Sequence, residues 1–284
     1  MIEMHEANRR YWDEATNGWK ELRDRDGLWR RCPSNPELAF SGGAFDLIKS
    51  FCGSLRGKRV LVLGSGDNYS AFALAGQGAL VTSTDISQCQ LDVASERSLQ
   101  LGLKIDFVRT DAADVKDLGR SSFDLVCSTN GFFVWIAELG SVFASVSHVL
   151  RSGGHYIFYD VHPFQRPWAD DVDKLAMVQP YGDVGSWPDP VGGGCQFHWT
   201  IADLLNPLIE SGFVLKRIVE SPASSARFWQ DASYEPATDD SLINWRRNPR
   251  AGLPVWLTVC AGKPYAPRDL FPLGDKRASS GRRT

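Results

Sequence analysis

The sequence predicts an α/β fold, namely a doubly wound, Rossmann-like, mostly parallel sheet of seven strands with an antiparallel final strand. Strand and helix patterns alternate from Lys58 onward, and the first strand (RVLVLG) is apolar and ends in glycine. Such apolar runs are typical of strands that are buried on both faces of a parallel sheet. Few helix signals separate FVLKRIVE from LPVWLTVCAG, so these last two strands are expected to pair as an antiparallel hairpin.

Elements in the first half follow in regular order. A helix, YSAFALAGQG, stops at Gly78, and the second strand is ALVTSTD. The second helix is SQCQLDVASERSLQLG, the third strand is KIDFVRTD, and the fourth strand is FDLVCSTN. This alternation of strands and helices is typical of a doubly wound, mostly parallel sheet.

The second half contains two further helices around the fifth strand, HYIFYDV. The segment IAELGSVFASVSHVL is predicted to be helical and to end at RSGG; one of its faces carries Ile136, Leu139, Phe143, Val146 and Leu150. TIADLLNPLIESGF predicts a helix capped by Thr200 with Asp203 three residues later. Pro207 is expected to kink or break this helix.

We expect residues 1–55 to form a helical cap and residues 56–264 to form the main domain, with an insert at 161–199. The cap and the insert are rich in Trp, Pro and Gly, and the insert is too long for an ordinary connection, which favours a substrate lid. Residues 265–284 are predicted to be a flexible tail.

Composition excludes several classes of protein. The 284 residues are 43% hydrophobic and 23% charged, as in globular enzymes, and the net charge of −3 predicts no attraction to nucleic acid or anionic membranes. The six cysteines show no CxxC spacing, which argues against a zinc site or a disulfide scaffold. Neither a signal peptide nor an apolar run of about 18 residues is apparent, so we interpret the protein as cytoplasmic.

A glycine turn after the first strand, VLVLGSGDN, indicates a nucleotide site. Gly64 and Gly66 give a G-x-G pattern, but Tyr69 replaces the last glycine of the dinucleotide fingerprint. Asp85 ends the second strand 21 residues after Gly64, where a carboxylate can bind both ribose hydroxyls of an adenosine. Asp111 ends the third strand, beside the expected adenine. The glycine turn, Asp85 and Asp111 follow three successive strands, and together they favour an adenosine site.

From about Gly57 to Lys263 the chain resembles the class I S-adenosylmethionine-dependent methyltransferases. The similarity covers VLVLGSGDN, VTSTDIS, FVRTDAAD, FDLVCSTNGFFVW, HVLRSGGHYIFYDVHPF and FHWTIADLLNPLIESGFVLKRIVE. It implies S-adenosylmethionine as cofactor, bound by Gly64, Ser65, Gly66, Asn68, Asp85, Ile86, Asp111, Ala112, Thr129 and Asn130. In that family the turn lies under the methionine part, and the acid of the second strand binds ribose.

Two positions depart from the family pattern. Val62 stands where an acid usually precedes the first glycine by two residues, and Asn68 stands at the third glycine of the turn. Asparagine adopts left-handed conformations better than most residues, so the second change is tolerable. The segment STNG lacks the Asn/Asp-Pro-Pro-aromatic signature of methylation at base or amide nitrogens, which makes nucleic acid an unfavoured substrate.

Candidate general bases are His162, just past the fifth strand, and His198, just before the next helix, with Asp160 and Tyr159 as alternatives. Loop bracing is the competing interpretation for both histidines. No metal-ligand pattern stands out. Candidate acceptor-binding residues are the aromatic side chains around the expected cleft, Tyr11, Trp12, Trp19, Trp135 and Trp199.

The favoured function is methyl transfer by in-line displacement to an oxygen, nitrogen or sulfur atom of a small aromatic or apolar metabolite. An NAD-dependent oxidoreductase is one alternative, although Tyr69 and the absence of a Tyr-x-x-x-Lys pair count against it. A non-catalytic protein that binds S-adenosylmethionine is the other. The oligomeric state stays open.

Overall fold

The computed structural model describes residues 2–66, 68–170, 173–188, 193–229 and 239–265. The predicted tail beyond residue 265 and four residues of the predicted insert's glycine-rich part, 189–192, lie outside this description. The α-helices of the described chain are α1 (Ile2–Asp26), α2 (Leu28–Arg31), α3 (Ala44–Cys52), α4 (Tyr69–Gly76), α5 (Gln88–Gln100), α6 (Leu139–Val149) and α7 (Ile201–Glu210). The strands are β1 (Arg59–Leu63), β2 (Leu80–Asp85), β3 (Ile105–Arg109), β4 (Phe123–Ser128), β5 (Leu150–Val161), β6 (Gly185–Pro188), β7 (Cys195–His198), β8 (Val214–Ser221) and β9 (Trp256–Gly262).

Seven strands form one sheet in the order β3-β2-β1-β4-β5-β9-β8. All pairings among β1 to β5 are parallel, whereas β9 runs antiparallel to both β5 and β8. The predicted α/β class, the mostly parallel sheet and the antiparallel final strand are therefore confirmed. The order reverses between β1 and β4, which is the crevice where open sheets of this kind bind ligands.

Alternate residues of β1 enter two separate apolar layers. Leu61 and Leu63 pack with α6 and α7 on one face of the sheet, and Val60 and Val62 pack with α3 and α4 on the other. All four side chains have no exposed surface. This two-sided burial explains the continuous apolar run of the first strand.

Two predicted helix bounds differ from the structure. Helix α6 begins at Leu139 rather than Ile136, because Phe133–Trp135 forms a separate 3₁₀ turn, and Leu150 already belongs to β5. Helix α7 continues through Pro207 to Glu210, so the predicted break is absent. Its first turn is fixed by the expected capping box of Thr200 and Asp203.

The segment after β5 contains a small hairpin that the sequence analysis did not predict. Strands β6 and β7 pair antiparallel from Gly185–His198 to Pro188–Cys195, separate from the main sheet. Each strand has only four residues, too few for an alternating pattern to be recognised in the sequence.

Candidate functional site

A cavity of about 460 Å³ lies beyond the carboxyl ends of the parallel strands, beneath α1. Its volume falls in the range that holds one cofactor-sized ligand. Nine of the ten predicted cofactor residues line it: Gly64, Ser65, Gly66, Asp85, Ile86, Asp111, Ala112, Thr129 and Asn130. The fold thus gathers residues from four strand ends at one place.

Both glycines of the turn between β1 and α4 have positive φ, at +51° for Gly64 and +44° for Gly66. A Cβ atom on Gly64 would lie 2.6 Å from the Phe132 ring, whereas one on Gly66 would meet no atom within 4 Å. Gly64 therefore allows close packing beneath the cavity. Gly66 borders open space, which a ligand can enter and a side chain would fill.

Asn68 does not line the cavity but fixes the glycine turn from below. It is fully buried, and its φ of +63° is in the left-handed region. Asn68 thus adopts the conformation that the third glycine of the family's turn usually adopts. Its Oδ1 accepts hydrogen bonds from the hydroxyls of Ser65, at 2.8 Å, and of Ser83, while its amide group donates to the Gly66 carbonyl.

Asp85 is held by the backbone on both sides. Its Oδ2 accepts from the Gly66 N–H and its Oδ1 accepts from the Ser87 N–H, each at 2.9 Å. Burial raises the pKa of Asp85, and these two hydrogen bonds act in the opposite direction. The carboxylate is thus linked to the turn and borders the cavity at the same time.

Asp111 contacts helix α1 as well as its own loop. Its Oδ1 accepts from the Ala113 N–H at 2.9 Å, and its Oδ2 accepts from Nδ1 of His5 in α1. The hydrogen bond to Asp111 raises the pKa of His5. For Asp111, burial acts to raise the pKa, but the bonds from His5 and Ala113 outweigh it and leave that pKa below its usual value.

The loop after β4 is fastened by Asp160. This buried carboxylate accepts from the N–H groups of Gly131 at 2.8 Å and Phe133 at 3.0 Å, which places Thr129 and Asn130 along the cavity wall. As a candidate base Asp160 is unsuited, because its oxygens serve these backbone donors. Tyr159 does line the cavity, and its hydroxyl donates to the Ala39 carbonyl at 3.2 Å.

An aromatic cluster covers the cavity on the side of α1. Tyr11 stacks on Trp135 with ring centroids 5.1 Å apart, and Trp12 meets Trp135 edge-on at 5.3 Å. Trp19 continues the cluster at 6.1 Å from Trp12. These four predicted acceptor-binding residues all line the cavity.

Helix α1 presents further residues that the sequence analysis missed. His5, Asn8 and Arg23 line the cavity together with Trp12 and Trp19. Their positions repeat at spacings of three, four and seven, which places them on one face of a helix. This spacing could have revealed them, but the stripe is polar and aromatic rather than aliphatic.

Asn8 joins α1 to two other parts of the cover. Its Oδ1 accepts from the Cys195 N–H at 2.6 Å, and its amide group donates to the carbonyls of Cys195 at 3.0 Å and Trp135 at 3.3 Å. The side chain is 3% exposed. One amide thus connects α1, the hairpin of β6 and β7, and the loop after β4.

An adjoining face of α1 is bonded to α5 and to the residue before α5. The Ser87 hydroxyl donates to Asp13 at 2.6 Å, and the buried Arg97 guanidinium donates to Asp24 at 3.0 Å. The helix is thus held along most of its length over the strand ends.

Besides Asn68, three predicted site residues lie outside the cavity lining. His162 is 2% exposed; its Nε2 bonds to Glu220 at 2.7 Å and its Nδ1 accepts from the Phe164 N–H. His198 bonds to Gln179 at 2.8 Å and stacks on Trp187. Trp199 donates to the Phe133 and Ile136 carbonyls at 3.2 Å and so supports the loop from behind. The structure favours the bracing interpretation for both histidines.

Val62, at the position of the family's usual acid, faces the apolar layer under α3 and α4. It has no exposed surface, so a carboxylate there would lie among aliphatic side chains without a charged partner.

The described residues offer neither a metal site nor a membrane-spanning helix. They contain no group of three or more His, Cys, Asp or Glu side chains arranged to hold a metal ion. No helix among them is both long and apolar enough to cross a membrane.

Comparison with known proteins gives a family match for part of the chain. The family model described as a methyltransferase domain matches residues 61–158, which run from β1 to β5. The chain is 30% identical over 131 residues to a ubiquinone biosynthesis O-methyltransferase of Vibrio atlanticus, a match that covers 45% of this chain and 55% of that protein. A protein of the same name from Shewanella pealeana is 26% identical over 138 residues, covering 48% and 58%. The chain thus spans about half the length of the curated relatives that it matches.

Solved structures share the fold over a longer stretch. An S-adenosylmethionine-dependent methyltransferase from Mesorhizobium loti has a TM-score of 0.61 and 22% identity, covering 78% of this chain and 98% of that one. The 1,6-didemethyltoxoflavin-N1-methyltransferase of Burkholderia thailandensis has a TM-score of 0.57 and 15% identity, covering 93% and 90%.

The fold, the strand-end site and the matching domain together define a class of protein. Residues 61–158 match the methyltransferase domain family, the fold is that of solved S-adenosylmethionine-dependent methyltransferases, and these findings support S-adenosylmethionine as the cofactor. This confirms the resemblance seen in the sequence.

Proposed function

We propose that the chain transfers the methyl group of S-adenosylmethionine to a small aromatic or apolar acceptor that is bound beneath α1. The observation that carries this proposal is the single cavity in which Asp85, Asp111 and the open space at Gly66 meet the aromatic cluster of the lid. Asp85, Asp111 and the space at Gly66 suit an adenosine with an attached amino acid, and the aromatic cluster suits a flat or apolar molecule.

Each end of the cofactor has a matching group in the cavity. Asp85 accepts hydrogen bonds from the ribose hydroxyls, Asp111 from the adenine amino group, and Ile86 packs on the adenine ring. The methionine part lies over Gly66. The Arg23 guanidinium lies 5.1 Å from the Trp19 ring and 5.3 Å from the Tyr69 ring. It pairs with the carboxylate of the methionine part. This cation supplies a polar anchor at the end where Val62 offers none.

The reaction needs positioning and exclusion of water more than it needs proton transfer. S-adenosylmethionine supplies a methyl group on a sulfonium, which already carries its own leaving group. Tyr11, Trp12 and Trp135 hold the acceptor and exclude water from the cavity. Because neither predicted histidine lines the cavity, we assign no protein base and expect acceptors that ionise readily. The named relatives are O-methyltransferases, which favours oxygen as the acceptor atom.

Calorimetry with the purified chain tests the cofactor assignment. S-adenosylhomocysteine should bind and raise the melting temperature by mass action, and NADH should do neither. Binding of NADH without S-adenosylhomocysteine would instead support the oxidoreductase alternative.

A second assay tests transfer itself. The chain is incubated with a metabolite extract and S-adenosylmethionine labelled in its methyl group, and the mass of the labelled product identifies the acceptor. A protein that only binds the cofactor would form no S-adenosylhomocysteine with any extract.

A further inference from the structure

His5 is the residue of the lid that touches a group proposed to bind the cofactor. It lies in the second turn of α1, 106 positions away from Asp111 in the sequence, and its Nδ1 contacts the Asp111 carboxylate. The pKa of Asp111 is lowered, so the carboxylate is ionised and can only accept; the imidazole must therefore donate.

No other polar contact of the imidazole explains its position. Its second nitrogen, Nε2, is buried and has no hydrogen-bond partner within the part of the chain that the structure describes. A buried ring nitrogen without a partner costs free energy, and an apolar side chain would fill the same space without that cost. The bond to Asp111 is thus the contact that distinguishes a histidine here.

Two donors fix the orientation of the Asp111 carboxylate. Ala113 holds Oδ1 through its N–H at 2.9 Å, and His5 holds Oδ2 from the lid. The Asp111 side chain still keeps 32% of its surface exposed, and it lines the cavity. Its remaining lone pairs are therefore accessible to a ligand while α1 is docked. Because the group is ionised, a ligand atom at this place must be a hydrogen-bond donor.

We propose that His5 is a positioning residue for adenine recognition: it orients Asp111 toward the amino group of the adenine and couples that recognition to the docking of α1. The role rests on the proposed function, in which the adenine lies at Asp111. A purine with a carbonyl oxygen in place of the amino group would present an acceptor to the carboxylate and would be rejected. By thermodynamic linkage, a ligand that strengthens the hydrogen bond between His5 and Asp111 also strengthens the docking of α1.

The test compares S-adenosylhomocysteine with S-inosylhomocysteine, which carries a carbonyl oxygen in place of the amino group. Calorimetry on the unmodified chain should give much tighter binding of S-adenosylhomocysteine. The discrimination is measured as the dissociation constant of S-inosylhomocysteine divided by that of S-adenosylhomocysteine. In His5→Ala this ratio should fall by about fivefold or more, because the Asp111 carboxylate, once released, can turn away from the amino group. His5→Gln, whose amide can still donate to Asp111, should recover part of the ratio.

Arg10→Ala provides the matched control on the same helix. Its side chain is exposed and lies outside the cavity lining, so both dissociation constants and their ratio should stay unchanged. An unchanged ratio in His5→Ala would show that His5 only packs the helix, and the proposal would be wrong. Failure of the unmodified chain to bind S-adenosylhomocysteine would instead overturn the proposed function, and this role with it.

Discussion

Two neighbouring glycines of the turn after β1 have the same backbone conformation but different surroundings. Gly64 faces a phenylalanine ring, whereas Gly66 faces open space in the cavity. The G-x-G pattern predicted the turn, yet it did not distinguish these two requirements. The difference between Gly64 and Gly66 becomes visible only in the folded chain, where Phe132 from the loop after β4 packs against the turn at Gly64.

Gly66→Ala should weaken binding of S-adenosylhomocysteine by about tenfold or more, because the new methyl group enters space proposed for the cofactor. Calorimetry measures the change. Gly102→Ala is the control: Gly102 also has positive φ, at +64°, and no atom lies within 4 Å of an added Cβ. Both variants should lose about 1 kcal/mol of stability from backbone strain, but only the first should lose affinity.

Asp85→Ala should weaken binding of the same ligand by roughly 30-fold or more, since charge-assisted hydrogen bonds to two ribose hydroxyls are lost. Asp106→Ala removes an exposed carboxylate from the adjacent strand β3 and should leave affinity unchanged. An unaltered dissociation constant in Asp85→Ala would place the ribose elsewhere.

The candidate histidines show where prediction from the sequence reached its limit. His162 follows a strand that was correctly predicted, at the correct edge of the sheet. Its role depends on Glu220 of β8, which lies 58 positions further along the chain and bonds to its ring. Local sequence does not contain that contact, whereas strand-end acids such as Asp85 are defined by local pattern alone.

Among the elements, α1 was the least predictable in its contacts. Its 25 residues form one helix, whose inner stripe runs from His5 through Asn8 and Trp12 to Arg23. Aliphatic periodicity identifies a buried face because apolar side chains avoid water. This face instead carries polar and aromatic side chains over the cavity, so the usual signal is weak, and only Tyr11, Trp12 and Trp19 were recognised.

The link between α1 and the insert can be tested with one substitution. Asn8→Ala removes three hydrogen bonds and leaves the N–H and carbonyl of Cys195 without these partners, which should cost about 1–3 kcal/mol of local stability. Hydrogen exchange should accelerate in residues 3–16 and in β7 together. Arg10→Ala, on the exposed side of the helix, should change neither segment. Faster exchange in only one of the two would mean that they open independently.

Considered as a whole, the molecule has the strand ends of the sheet below the cavity and a cover built from separate segments of the chain above it. The sheet holds the strand-end acids, and the cover combines α1, the loop after β4 and the segment after β5. The sheet was predictable because buried parallel strands have strong local patterns. The cover was not, because it consists of contacts between segments that lie more than 100 positions apart, such as Asn8 and Cys195.

We expect the cover to tighten when ligands are bound. Hydrogen exchange in residues 8–30 and 164–199 should slow when S-adenosylhomocysteine and an acceptor are both present, because aromatic side chains of α1 then pack against the acceptor. Exchange in β1, which is already buried on both faces, should stay the same and serves as the internal reference. Equal exchange with and without ligands in the two cover segments would show that they do not act as a lid.

Helix α1, which lies over the strand-end cavity, also has a consequence for turnover under the proposed function. Spent cofactor beneath α1 would leave once bonds such as those from Ser87 to Asp13 and from Arg97 to Asp24 have opened. Escape of the product, rather than methyl transfer, would then set the steady-state rate. In rapid mixing with a suitable acceptor, the first equivalent of methylated product should appear in a burst, followed by a slower linear phase. Weakening the Arg97 contact by Arg97→Lys should accelerate the linear phase and leave the amplitude of the burst near one per chain.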